Sequence, residues 1–221
     1  MLNFETDEKI IEIGVDEAGR GPLFGRVYCA AVIMPKNSSL DFSNIKDSKK
    51  FHSKKKINEV ADFIKTNALA WAVEYADEYT IDTLNILQAT IDTMHIAILK
   101  VIEKLSIKDV NNILLCIDGS YFKPVFLYDK ELKKPLYFSY KCITSGDNKN
   151  INIAAASILA KTSRDQYIED LCKEQPDLIV KYDLQNNKGY GSKKHLQGIE
   201  TYGISKYHRK TFGICKKYAI W

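Results

Sequence analysis

Three acidic residues stand where buried strands are predicted to end, and they are the side chains best suited to do chemistry. Asp16 and Glu17 follow the apolar stretch of residues 10–15, and Asp118 follows the apolar stretch of residues 113–117. An unpaired carboxylate is costly to bury, so something must neutralise these charges. Clusters of oxygen ligands favour hard cations such as magnesium or manganese over zinc. If the three acids converge, they predict a site for such cations.

A fourth acid, Asp147, lies in a loop just before an alanine-rich stretch that is predicted to be helical. Taken singly, the acids have ordinary structural explanations, because Asp147 could cap that helix and Asp118 with Gly119 could form a turn. Asp16 and Glu17 are neighbours, and neighbours on a regular strand point to opposite faces. We therefore expect the chain to bend there, with the flanking glycines supplying the freedom to do so.

The chemistry that such a cluster predicts is hydrolysis of a phosphodiester. Two divalent ions about 4 Å apart can activate a water, stabilise the leaving oxygen and offset phosphate charge. The sequence contains no zincin helix motif, nucleophile elbow or Walker loop that would indicate another reaction. The five cysteines are an odd number without paired spacing, which argues against a disulfide framework and a zinc site.

Buried strands alternating with helices must position these acids. Apolar patterns predict strands at residues 10–15, 27–34, 70–76, 113–117 and 137–143, and helices at residues 57–64, 84–105 and 152–171. This alternation indicates a mixed α/β sheet. In open sheets of this type functional residues gather at strand ends, which is where the acids fall.

Length and composition are those of a globular protein. The chain has 221 residues, of which 45% are hydrophobic and 27% charged, and this favours one compact domain. No apolar run is long enough to cross a bilayer and no signal peptide opens the chain, so we expect a cytoplasmic protein. The net charge is only +4, but the last third mixes lysines and tyrosines, a composition that suits a phosphate backbone. A solvated lysine-rich surface would have the same composition.

The sequence GVDEAGRGPL at residues 14–23 resembles the opening motif of the type II ribonucleases H. Further segments resemble the same family in the same order: DSKK at 47–50, LNILQAT at 84–90, IDG at 117–119, AAASILAKTSRD at 154–165, KGYGSKKH at 188–195 and HRKTF at 208–212. The resemblance implies a ribonuclease H-like α/β fold, with a central mixed five-stranded sheet flanked by helices. Residues 1–221 would form a single catalytic domain, in which roughly residues 175–221 are a helical part that completes the substrate groove.

The same resemblance implies the metal ligands. The family's metal-binding acids correspond to Asp16, Glu17 and Asp118, with Asp147 as the fourth, and they would hold two Mg²⁺ or Mn²⁺ ions. Asp165 is the rival for the fourth position. We rank it second because it lies well inside a predicted helix, where an ion-paired surface residue is expected.

The resemblance also implies how a ribonucleotide is recognised. The turn Gly19-Arg20-Gly21 corresponds to the family motif whose backbone hydrogen-bonds the 2′-hydroxyl, the group that separates RNA from DNA. A tight turn after the first strand would need the same glycines. Tyr190 corresponds to the family tyrosine that packs on the sugar of the next, deoxy, nucleotide, which implies a preference for an RNA-to-DNA junction.

Other residues match family positions near the phosphates of the substrate. Ser48, Lys49 and Lys161 would contact phosphates, which positions a strand without reading its sequence. His208 and Arg209 would either do the same or fasten the C-terminal segment.

The resemblance implies cleavage on the 5′ side of ribonucleotides in RNA/DNA hybrids and in duplex DNA, leaving 3′-hydroxyl and 5′-phosphate ends. The implied roles are ribonucleotide excision repair and removal of RNA primers during DNA replication. The implied partner is the nucleic acid duplex, with a monomeric enzyme, no membrane association, and a sliding clamp left open as a further partner. The type III enzymes of the family carry an additional N-terminal domain, for which there is no room before Ile10.

Three positions depart from the family pattern. Ser145 stands where lysine is usual, two residues before Asp147; Phe24-Gly25-Arg26 replaces smaller residues and proline; and Ser192 replaces threonine. The loss of a lysine could raise the proton affinity of Asp147. Two other functions therefore stay open: a junction resolvase on the same fold, which would cleave branched DNA, and a nucleic-acid-binding module whose metal site is not productive.

Overall fold

A central sheet of five strands organises the molecule. The computed structural model describes residues 2–7, 9–106, 109–130 and 133–220. The five strands are β1 (Ile11–Ala18), β2 (Val27–Ile33), β3 (Ala70–Ala76), β4 (Ile113–Asp118) and β7 (Ser139–Ile143), and a separate hairpin consists of β5 (Phe126–Asp129) and β6 (Lys134–Tyr137). Their order across the sheet is β3-β2-β1-β4-β7. The mixed five-stranded sheet that the sequence predicts is confirmed.

The strand directions determine where the ends of the strands meet. β2 is antiparallel to both β1 and β3, whereas β1, β4 and β7 run parallel to one another. The carboxyl ends of β1, β4 and β7 therefore lie at the same edge of the sheet. This edge is where residues that follow these three strands come together.

Helices cover both faces of the sheet. They are α1 (Lys54–Asn67), α2 (Glu78–Leu84), α3 (Ile86–Lys104), α4 (Ile151–Glu174), α5 (Asp177–Tyr182), α6 (Leu184–Asn187) and α7 (Lys193–Tyr202). The apolar side of α3 packs on one face in a core that includes Ile13, Leu115 and Ile98. α1 and α4 pack on the other face against β2. The end of α4, α5, α6 and α7 form a further apolar cluster with the C-terminal segment, as the sequence predicts for a helical C-terminal part.

The first turns of α4 approach β1 closely at Gly14. A Cβ added at Gly14 would lie 2.1 Å from the backbone carbon of Asn152 and 2.3 Å from the nitrogen of Ile153. The Asn152 side chain also accepts a hydrogen bond of 2.6 Å from the Met34 amide. The absence of a side chain at Gly14 therefore lets the helix rest directly on the strand.

Two predictions about local structure need correction. The helix predicted from residue 84 begins at Ile86, because Asn85 has φ 71° and its side chain caps the helix by accepting from the Gln88 amide. The strand predicted for residues 137–143 is present as β7 but starts two residues later, since Tyr137 ends β6, Phe138 is buried between the two strands and β7 begins at Ser139. The hairpin β5–β6 was not predicted.

Two findings concern membranes and disulfides. Among the described helices, none is both long enough and apolar enough to pass through a bilayer. All five cysteines are free thiols, as their spacing predicts.

Candidate active site

Four acidic residues lie at the shared edge of the sheet. Asp16 and Glu17 are near the end of β1, Asp118 ends β4, and Asp147 lies in a short 3₁₀ turn, Gly146–Asn148, after β7. A hydrogen bond of 2.7 Å from the Gly146 amide to Asp118 Oδ1 connects the end of β4 to that turn. The structure thus brings together the four acids that the sequence selects.

The bend expected between Asp16 and Glu17 is absent. β1 continues as a regular strand through Ala18, and Asp16 and Glu17 pair in register with Ala30 and Cys29. The expectation was wrong because convergence does not require a bend: at the edge of the sheet Glu17 stays within electrostatic reach of Asp118, whose charge raises its pKa.

The pKa of Asp16 is raised more strongly than that of Glu17 or Asp147. Its side chain is 5% exposed, and burial raises its pKa well above the ordinary value. The negative charges of Glu17 and Asp118 raise that pKa further. The Glu17 amide, which donates to Asp16 Oδ1 at 2.7 Å, and the Ser157 hydroxyl oppose the shift.

Burial also raises the pKa of Glu17, and Arg20 opposes this shift, with its Nη1 atom 3.4 Å from Glu17 Oε1. Asp147 shows the same balance. Burial and the charges of Asp47 and Asp118 raise the pKa of Asp147, whereas Lys49, whose Nζ lies 3.7 Å from Asp147 Oδ2, lowers it. The cluster as a whole therefore carries more negative charge than its protein cations neutralise.

The donor set fits a hard divalent cation. All four acids offer oxygen ligands, and the charge of Asp118 raises the pKa of the other three, so Asp118 is the common neighbour in the cluster. In the part of the chain that the structure describes, no group of three or more His, Cys, Asp or Glu side chains is arranged so that it could hold a metal ion. One oxygen of Asp16 and one of Asp118 accept hydrogen bonds from backbone amides.

Two polar residues beside the acids were missed from the sequence. Asn148 donates both to Asp147 Oδ1, at 3.0 Å, and to Asp47 Oδ2, at 3.3 Å. Ser157, on α4, is buried among alanines, and its hydroxyl lowers the pKa of Asp16 and lies 3.0 Å from the hydroxyl of Ser48. The signal for Ser157 was a hydroxyl on an otherwise apolar helix face, which needs a polar partner.

The three predicted phosphate contacts have different surroundings. Ser48 is 4% exposed, and its hydroxyl lies 3.0 Å from that of Ser157, so it belongs to the hydrogen-bond network under Asp16. Lys49 is exposed beside Asp147. Lys161 forms an ion pair of 2.8 Å with Asp165 on α4. This ion pair is the role expected for Asp165.

The turn at Gly19 and Gly21 lies against Tyr190. Gly19 has φ +94°, and a Cβ there would lie 2.3 Å from Arg164 Nε, so glycine is required on both counts. A Cβ at Gly21 would lie 3.7 Å from Tyr190 Cε1. The Tyr190 ring is 51% exposed, and the Arg164 guanidinium lies 5.6 Å from its centre.

Arg209 supports the same turn through hydrogen bonds to its backbone. It is 0% exposed, and its guanidinium donates to the backbone carbonyls of Gly19, Arg20, Pro22 and Gly25 at 2.6 to 2.9 Å. Burial lowers its pKa to about 9, which leaves it charged at neutral pH. Of the two predicted roles, the geometry favours fastening, because a guanidinium buried on four carbonyls cannot also contact a phosphate.

We expect the variant Asp16→Asn to stabilise the metal-free protein at neutral pH. The pKa of Asp16 is raised on folding, so the folded protein binds a proton more readily than the unfolded chain. Raising the pH from the ordinary carboxylate pKa through the raised value therefore lowers the free energy of unfolding of the wild type. In EDTA at pH 7 the variant should have a melting temperature a few degrees above the wild type, and this difference should shrink toward pH 4.

The same melting curves test metal binding. Mn²⁺ should raise the melting temperature of the wild type more than that of Asp16→Asn. Asp165→Asn is the matched control, since it removes only a partly exposed ion pair and should respond to Mn²⁺ as the wild type does. Equal Mn²⁺ shifts in all three proteins would show that Asp16 binds no metal.

Solved structures share this architecture, and together the fold and the site define an α/β protein of the ribonuclease H-like class. The ribonuclease H2 from Pyrococcus horikoshii OT3 matches with a TM-score of 0.70 and 21% identity, covering 95% of this chain and 97% of that one. Bst-RNase HIII in complex with Mn²⁺ matches with a TM-score of 0.70 and 17% identity, covering 95% and 69%. The ribonuclease H-like fold is thereby confirmed.

The sequence places the chain more narrowly within that class. The family model described as Ribonuclease HII matches residues 13–215. The ribonuclease HII of Trichormus variabilis is 42% identical over 205 residues, which are 92% of this chain and 81% of the relative. That of Christiangramia forsetii is 42% identical over 214 residues, 96% and 94% of the two chains. The chain belongs to the ribonuclease HII family and is a ribonuclease H enzyme.

Proposed function

We propose that this enzyme hydrolyses the phosphodiester on the 5′ side of ribonucleotides in RNA/DNA hybrids and of single ribonucleotides in duplex DNA. The products would be 3′-hydroxyl and 5′-phosphate ends. The observation that carries the proposal is the position of Asp118, whose charge raises the pKa of Asp16, Glu17 and Asp147. A group of acids in mutual repulsion at a strand edge is suited to binding cations that a phosphate can share.

Asp16, Glu17, Asp118 and Asp147 would hold two divalent ions, Mg²⁺ or Mn²⁺. When bound, such ions activate water, stabilise the leaving oxygen and offset phosphate charge. The Mn²⁺ complex of Bst-RNase HIII, which has the same fold, supports divalent-metal dependence. Lys49 supplies a positive charge 3.7 Å from Asp147 although Ser145 has replaced the usual lysine. This contact supports a productive site over a binding module that has lost its activity.

The residues around the acids would select and hold the substrate. The Gly19-Arg20-Gly21 turn, kept in shape by Arg209, would present its backbone to the 2′-hydroxyl. Tyr190, half-exposed next to Gly21, would pack on the following deoxyribose. Lys49 and Lys161 would contact phosphates. Ser48 would act through Ser157 on Asp16, and Arg209 would act through the turn.

The wider role that we propose is ribonucleotide excision repair and removal of RNA primers by a cytoplasmic, monomeric enzyme. Residues 1–221 would act as one catalytic domain, with residues 175–221 completing the groove. A solved complex of PCNA with the RNase HII of Archaeoglobus fulgidus, which is 21% identical to this chain with a TM-score of 0.66, supports a sliding clamp as a partner.

One assay tests this function. The protein is incubated with Mg²⁺ or Mn²⁺ and three substrates: a DNA duplex with one ribonucleotide, the same duplex in all DNA, and a four-way DNA junction. We expect a single cut on the 5′ side of the ribonucleotide, with ends that a ligase and a 5′-phosphatase identify. The all-DNA duplex and the junction should stay intact, whereas cleavage of the junction alone would identify a resolvase.

A further inference from the structure

Two buried histidines form a hydrogen-bonded pair that the proposed reaction does not use. His195 lies on α7 and His208 lies in the C-terminal segment, and they are 0% and 1% exposed. Their Nε2 atoms are 3.1 Å apart. The rings of Phe24 and Tyr182 pack against both imidazoles, with centroids 4.7 to 6.4 Å away, so water is excluded from the pair.

The hydrogen bonds fix the position of each proton. The Ser205 amide donates to His208 Nδ1 at 2.9 Å, so that nitrogen must be the acceptor. A neutral His208 then carries its proton on Nε2 and donates to His195 Nε2. His195 is left protonated on Nδ1, which donates to the backbone carbonyl of Tyr190 at 2.9 Å. Burial lowers the pKa of both histidines, that of His208 to about 3, which keeps the pair neutral.

This chain of bonds runs from the Tyr190 carbonyl to His208. His208 pairs through its backbone with Phe24, and the Arg209 amide donates to the Leu23 carbonyl at 2.9 Å. Leu23 and Phe24 lie two and three residues after Gly21. The histidine pair therefore links the backbone of Tyr190 to the backbone of the segment that carries Gly19 and Gly21.

We propose that His195 and His208 are positioning residues for junction selectivity, which they control by holding Tyr190 at a set position relative to the glycine turn. This inference rests on the proposed function, in which the turn contacts the ribonucleotide and Tyr190 the next deoxyribose. Because neither histidine touches the acids through any described contact, their loss should change which substrate is preferred more than the rate of the chemical step.

Two substitutions of His208 separate positioning from general packing. In His208→Gln the side-chain amide lies near the position of Nε2, so it can still donate to His195 Nε2. In His208→Asn the amide oxygen lies near the position of Nδ1, so it can still accept from the Ser205 amide but the side chain cannot reach His195. Both variants lose the same aromatic packing, so they are matched in their expected cost in stability.

The measurement is the ratio of kcat/KM for a duplex with one ribonucleotide followed by DNA to kcat/KM for a uniform RNA/DNA hybrid. We expect His208→Gln to keep this ratio within about twofold of the wild type and His208→Asn to lower it by about tenfold, the scale of one hydrogen bond. Equal losses in the two variants would assign the pair to packing alone. A wild type that cleaves both substrates equally, or an unchanged ratio in His208→Asn, would also overturn the inference.

Amide hydrogen exchange of residues 188–192 gives a second measurement that needs no activity. The Asn variant should exchange faster there than the Gln variant, and equal protection would contradict the positioning role. If His208→Asn does not fold, His195→Gln replaces it: its amide can accept from His208 but leaves the Tyr190 carbonyl without the histidine donor, so it should lower the ratio, and an unchanged ratio would overturn the inference. A wild type that leaves ribonucleotide duplexes intact would refute the proposed function itself and is recognised before any variant is made.

Discussion

Asp118→Asn should reduce kcat/KM on a ribonucleotide-containing duplex by about three orders of magnitude, which corresponds to about 4 kcal/mol of transition-state stabilisation. Asp118 is the one acid whose charge acts on all three others. Replacing its carboxylate removes a charged ligand from the centre of the cluster. The amide oxygen can still accept the hydrogen bond from Gly146 that Oδ1 accepts now, so the loop that carries Asp147 should stay in place.

The control for this loss is Asp165→Asn, which changes the same kind of side chain on α4. Asp165 pairs with Lys161 and is absent from the main charges that shift the pKa of Asp16, Glu17 and Asp147. We expect its kcat/KM within about threefold of the wild type. If Asp118→Asn kept wild-type activity with an unchanged melting temperature, or if Asp165→Asn lost activity to the same extent, the assignment of the cluster would be refuted.

Gly14→Ala should lower the free energy of unfolding by about 3 kcal/mol or more. The new Cβ would lie 2.1 Å from the backbone of Asn152, and a backbone atom cannot move aside as a flexible side chain can. Helix α4 would have to shift away from β1. This shift would loosen the core and displace the turn that carries Asp147, because that turn leads into α4. For a chain of this size the melting temperature should fall by roughly 10 °C.

Gly191→Ala is the comparison for that effect. Its φ is not in the left-handed region, and the nearest atom to an added Cβ is Leu23 Cδ1 at 3.4 Å, an ordinary contact. The melting temperature of Gly191→Ala should stay within a few degrees of the wild type. Similar melting temperatures for Gly14→Ala and the wild type would mean that α4 does not rest on β1 as the structure shows.

Much of the fold could be predicted because strongly buried strands leave a clear pattern. β2 is buried along its whole length, and its apolar run gave a strand at nearly the observed bounds. The hairpin β5–β6 left a weaker pattern, because its strands have only four residues each and most of its side chains are exposed, so the short apolar run at residues 125–128 did not indicate a strand. Asn85 shows a different difficulty, because a left-handed residue between two helices is not visible in hydrophobic spacing.

Asp16, Glu17 and Asp118 could be predicted because a carboxylate directly after a buried strand is unusual, and Asp147 could be predicted only from the family resemblance. The residues that support them could not. Ser157 and Asn148 matter only through partners that are distant in the sequence. Arg209 is the clearest case: an arginine in a lysine-rich segment suggests a phosphate contact, and only tertiary structure shows its guanidinium enclosed by carbonyls from residues 19–25.

The contact between Arg209 and the turn after β1 has a consequence for biosynthesis. Ribosomes release the amino-terminal strands long before residue 209 is made, so a nascent chain exposes its acids while the turn beside them still lacks four of its hydrogen bonds. If the turn recognises the ribonucleotide as we propose, recognition would be completed only when the last segment emerges and docks. A polypeptide stalled in translation before that point would hold carboxylates without the surface that we propose discriminates between nucleic acids.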